Sequence, residues 1–135
     1  MKRILTAILA MLGLGTATAA DSPPSAAHVQ DYSHVTSREL ALKLVAEGKL
    51  FKILLFPAEF GGEDVAANVV YVPVGIPELK DQITGTLVRF YKEGLIDNLK
   101  VRPEYKGDSF VPSKIHFKAS HSEKKGVFEP TIDVW

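Results

Sequence analysis

Lys114-Ile115-His116-Phe117-Lys118-Ala119 is the stretch on which the fold turns. Polar and apolar side chains alternate, so an extended chain sends Ile115, Phe117 and Ala119 to one face and Lys114, His116 and Lys118 to the other. Such a period of two marks a strand with one face covered and one wet. The pattern recurs upstream, where Leu99, Val101 and Tyr105 oppose Lys100, Arg102 and Glu104. Downstream, Phe128, Ile132 and Val134 share a face, and Pro130 interrupts the run as it does at a sheet edge or bulge. Turn-forming segments at 106–112 and 122–126 separate the three runs. The expected unit is a three-strand antiparallel meander.

Two further strands and two helices are expected before it. Leu50-Phe51-Lys52-Ile53-Leu54-Leu55-Phe56 is apolar at both parities and ends at Pro57, which reads as a central strand buried on both faces. Asn68-Val69-Val70-Tyr71-Val72 reads as the next strand, after an acidic, glycine-rich loop over 58–67. A helix over 37–47 is indicated by Thr36 and Glu39 as a capping box, by the face Leu40, Ala41, Leu44 and Val45, and by Gly48 as its stop. A longer helix starts near Pro77 and carries the stripe Leu79, Ile83, Thr86, Leu87, Phe90 and Tyr91 up to Gly94. Gly85 within it suggests close packing against the sheet. The expected fold is α+β in the order α-β-β-α-β-β-β, with one five-stranded mixed or antiparallel sheet packed by two helices.

The amino-terminal end sets the expected compartment. Lys2 and Arg3 precede eleven largely apolar residues, 4–14, and small residues follow up to Ala20. This is the layout of a secretory signal peptide, cleaved after Ala19 or Ala20, and it is too short to span a bilayer, which takes ~20 residues. Residues 21–35 read as a flexible leader, and 36–135 as a single domain in the periplasm or outside the cell. Removing residues 1–20 leaves 14 cations against 16 anions, a net charge of −2. That balance gives no reason to expect nucleic acid or a stable membrane anchor. The absence of cysteine excludes disulfides, thiolate metal sites and cysteine nucleophiles.

The chemistry-bearing residues do not converge on a reaction. His28 and His34 lie in the leader, and His116 and His121 are five apart, an odd spacing that sends strand side chains to opposite faces. Glu59, Glu63 and Asp64 lack the alternating pattern of a calcium loop. Ser109 follows Asp108 in a turn without a Gly-x-Ser-x-Gly elbow. No catalytic residue, metal or cofactor is therefore assigned. Recognition fits better: Phe110 stands at a loop tip and Trp135 ends the last strand, with Asp108, Ser109 and His116 as the other candidate binding residues. The expected role is an exported, non-catalytic binding or inhibitor-type protein, immunity-like, whose partner is another periplasmic or secreted protein. The alternative is a small hydrolase or isomerase using His116 or His121 with loop carboxylates.

Overall fold

The computed structural model describes residues 30–135, so the signal-peptide reading and most of the leader fall outside the described residues. The elements run in chain order as α1 (Arg38–Ala46), β1 (Phe51–Leu54), β2 (Val69–Val72), α2 (Ile76–Lys92), β3 (Asn98–Tyr105), β4 (Pro112–Ser120), β5 (Val127–Phe128) and β6 (Thr131–Asp133). The class is α+β, with every strand pair antiparallel.

The meander forms in the expected register. β4 is its centre, pairing β3 on one side and β5 and β6 on the other. Ile115, Phe117 and Ala119 are buried, while Lys114, His116 and Lys118 face outward. β5 and β6 are one strand with a missing rung. Ala119 faces Phe128 and Ile115 faces Ile132, so the register does not slip across Pro130. Pro130 still accepts from the Phe117 amide at 3.0 Å but has no N–H to return.

The single five-stranded sheet is corrected to two sheets. β1 and β2 form a hairpin of their own, paired from Phe51 with Val72 to Leu54 with Val69. β1 is four residues long and starts exposed, with Phe51 38% accessible, so it is not a central strand. Its neighbours explain the misleading pattern. Leu50 is buried with Tyr32, Val35, Ala41, Tyr71 and Val111, whereas Leu55 is buried in the main core with Val70, Val72, Leu87, Ile115, Phe117 and Ile132. The run is apolar at both parities because its two ends plug two different clusters. β2 divides those clusters: Val70 and Val72 face the main core, and Val69 and Tyr71 face the other.

The helices follow their caps. α1 starts one residue later than expected, because Ser37 is the extended residue and its hydroxyl accepts from the Leu40 amide at 3.1 Å. Each helix ends in a left-handed glycine: Gly48 and Gly94 have φ of 75° and 74°, and the next amides, of Lys49 and Leu95, return to Leu44 and Phe90. α2 turns most of the expected stripe inward, with Leu87 buried and Ile83 and Phe90 packed against the main core, but the buried face is rotated away from Leu79 and Tyr91. Ile76, Lys80, Thr84 and Leu87 are buried, while Leu79 and Tyr91 are exposed. Lys80 fits because its aliphatic stem covers the core. Burial pulls its ammonium below the ordinary lysine range, opposed by the nearby charges of Glu59 and Asp81. Gly85 is not a packing site, since a Cβ there would meet open space.

One side chain makes three of the hydrogen bonds that hold the long loop between β1 and β2. Asn68 accepts from the Phe56 amide at 2.7 Å and donates to the carbonyls of Phe56 and Glu63. Tyr32–Trp135 forms one compact unit, so order begins before Thr36. Tyr32 and Val35 are buried, and the Val35 carbonyl accepts from the Phe110 amide at 2.7 Å. No helix among the described residues is long and apolar enough to cross a membrane.

Candidate functional site

A cleft of about 180 Å³ opens where five parts of the chain meet. Arg38 comes from the first turn of α1, Ala66 from the long loop, Val69 and Tyr71 from β2, Tyr105 from the end of β3, and Phe110 from the loop before β4. A β-bulge places Tyr105 there. Glu104 faces Lys114 but Tyr105 faces Pro112, so Ser113 has no opposite residue. Ser113 is instead tied down by donating to the Glu104 carbonyl at 3.1 Å and accepting from the Val134 amide at 2.8 Å. Such a bulge re-aims the side chain beside it. Tyr105 keeps the inward parity of Leu99 and Val101, yet its ring emerges at the rim, 44% exposed. Partial burial pushes its hydroxyl above the ordinary tyrosine range. Phe110 stands exposed to a similar degree, at 43%.

Ser109 and Trp135 fix the loop that carries Phe110. The Ser109 hydroxyl is buried, donates to the Tyr32 carbonyl at 2.7 Å and accepts from the Val111 amide at 3.1 Å. With its proton so engaged, Ser109 positions the loop and presents no free nucleophile. The Trp135 indole donates to the Val111 carbonyl at 3.0 Å. Its ring meets Tyr32 edge-on at 6.0 Å and lies under the Lys106 ammonium at 4.6 Å. Trp135 is half-buried and held from three sides. Asp108 is exposed at the turn and does not line the cleft.

His116 belongs to a different surface. On the wet face of the meander its Nε2 lies 2.9 Å from the Glu104 carboxylate and its Nδ1 lies 3.2 Å from the Thr131 hydroxyl. A carboxylate only accepts, so Nε2 carries the proton and Nδ1 of the neutral ring accepts from Thr131. The His116 bond holds the Glu104 carboxyl below the ordinary glutamate range. Beside it, Lys114 donates to Asp133 at 2.8 Å; this lowers the Asp133 carboxyl and raises the Lys114 ammonium. His121 is engaged elsewhere. Its Nδ1 accepts from the Glu123 amide at 3.0 Å, leaving Nε2 toward Asp97 at 3.7 Å. The Ser122 hydroxyl and amide both donate to Asp97, and they hold its carboxyl below the usual range.

The structure thus gives His116 and His121 a carboxylate each, from β3 and from the turn before it. Of the loop carboxylates, Asp64 pairs with Lys52 at 2.7 Å. No group of three histidine or acidic side chains among the described residues is arranged to hold a metal ion. Of the candidate residues read from the sequence, Phe110 alone lines the cleft; Arg38, Ala66, Val69, Tyr71 and Tyr105 join it from segments far apart in the chain. No family, curated protein or solved structure matches this chain.

Proposed function

We propose that this chain is an exported, non-catalytic binding or inhibitor-type protein that takes another periplasmic or secreted protein at the Phe110 cleft. One observation carries the reading. Phe110 and Tyr105 stand nearly half exposed around a concave site, on a loop fixed by Ser109 and Trp135 and at the end of β3. A rigid aromatic at the mouth of a cleft is the kind of group that anchors an interface, where truncation costs about 2 kcal/mol or more, near a thirtyfold loss. The test is capture of a partner from periplasmic extract by the wild-type protein and by Phe110→Asp, with thermal unfolding of both as a fold control. A partner retained by the wild type and lost from Phe110→Asp is the expected result. A partner held equally by both would remove the cleft from the interaction. Processing after Ala19 or Ala20, read by amino-terminal sequencing of the exported protein, tests the compartment.

The Glu104–His116–Thr131 row supports a second reading, a small hydrolase. An acid, an imidazole and a hydroxyl in hydrogen-bonded sequence are the parts of an activated nucleophile. Against it, none of the three lines the described cleft, and Thr131 lies exposed on the open face of the sheet. Hydrolysis of a p-nitrophenyl ester that is lost in both His116→Ala and Thr131→Val would favour this reading over the first.

A further inference from the structure

The cleft has room for a single side chain. A volume of about 180 Å³ falls below the ~300–1,000 Å³ of sites for drug-sized ligands. A volume of this order accepts a benzene-sized group. Tyr71, Tyr105 and Phe110 line it with rings, and Ala66 and Val69 add aliphatic surface. Arg38 is the one charged residue among the six that line it, and Arg38 pairs with no carboxylate among the described residues. It is also the first residue of α1, where a cation opposes the helix dipole. Helix stability therefore does not account for an arginine at this position. A guanidinium beside aromatic side chains is suited to a carboxylate attached to an apolar group. None of the six lining residues is acidic, so an α-ammonium next to that carboxylate would find no counter-charge.

Resting on the binding reading above, we propose that the cleft takes the carboxy-terminal residue of the partner polypeptide. The terminal side chain, aromatic or branched aliphatic, lies among Tyr71, Tyr105 and Phe110, and the terminal carboxylate pairs with Arg38. In a polypeptide the adjacent nitrogen is a neutral amide, which suits a lining without acids. Recognition of a chain end by its carboxylate is an established mode for small domains.

The test titrates the full protein with N-acetyl-L-phenylalanine, its carboxamide and free L-phenylalanine, following the resonances of Tyr105 and Phe110 by NMR. The acetylated acid is expected to bind about tenfold or more tightly than the carboxamide, the margin of a charge-assisted hydrogen bond. It is likewise expected to bind more tightly than free phenylalanine. Arg38→Gln should bind acid and carboxamide alike, and Phe110→Ala should weaken both. Arg38 is exposed, so its replacement leaves the core intact. Equal binding of acid and carboxamide by the wild type, binding of neither, or free phenylalanine binding as tightly as the acid would each overturn the proposal. So would an acid preference that survives Arg38→Gln. The wider binding reading fails by a separate result, partner capture that is indifferent to Phe110→Asp.

Discussion

Replacing Thr84 by valine should make this protein more stable. Thr84 is 4% exposed on the inner face of α2, one turn from Lys80 and near Leu87, and its Oγ1 is buried with no hydrogen-bond partner among the described residues. Burying a hydroxyl without a partner costs about 1–3 kcal/mol. Valine has nearly the same shape, so the exchange removes that cost without opening a cavity. Threonine and valine have similar helix propensities, so the backbone contribution largely cancels. The expected gain is about 1–2 kcal/mol, or roughly 5–10 °C in unfolding midpoint for a domain of this size. Thr84→Ser is the control: it keeps the hydroxyl, removes a buried methyl and should lose about 1 kcal/mol. Urea unfolding followed by far-ultraviolet circular dichroism measures both, with an unchanged slope confirming that the same transition is compared. A Thr84→Val protein no more stable than the wild type would refute the reasoning, because the hydroxyl would then have a partner in solution.

Other perturbations follow from the contacts described. Gly85→Ala places a methyl in open space within α2 and should stabilise by about 1 kcal/mol in the same urea assay. Asn68→Ala removes three hydrogen bonds that hold the β1–β2 loop, two of them to Phe56, and should cost about 2–3 kcal/mol. Ser109→Ala removes the hydrogen bond to the Tyr32 carbonyl, which keeps the Val35 amide, and takes the hydroxyl acceptor from the Val111 amide, with a loss of about 1–3 kcal/mol; amide exchange of Phe110 should accelerate as residues 32–35 loosen. The carboxyls of Glu104, Asp97 and Asp133 all lie below their ordinary values of 4.5 and 3.8 in the folded protein. Their contribution is complete above pH 5 and declines as pH falls through those values to the depressed ones. Acid titration of stability should therefore show a shallower slope in Glu104→Gln and Asp97→Asn.

The meander was legible because alternation over eight or nine residues has one reading, and Ile115, Phe117 and Ala119 face inward as their spacing requires. Boundaries set by glycine were legible too, since Gly48 and Gly94 adopt the left-handed geometry that other residues avoid. The run from Leu50 to Phe56 misled because periodicity records that side chains are buried, not which core receives them. The burial of Lys80 carried no signal in the sequence, since a charged residue can still cover apolar surface with its aliphatic stem. Most of the cleft was hidden. Arg38, Tyr71 and Tyr105 share no local motif, and the bulge at Ser113 that re-aims Tyr105 leaves no mark in the composition of β3 or β4.

The contact between Tyr32 and Trp135 also sets an order of events. These rings belong to opposite ends of the compact unit, and they seal the smaller cluster together with Val35, Leu50 and Val111. Tyr32 and Trp135 stand 103 positions apart (135 − 32), so the smaller cluster is closed by a contact of very long range. Loop-closure entropy must be overcome before such a contact stabilises anything, and this makes the cluster a late-forming part of the fold.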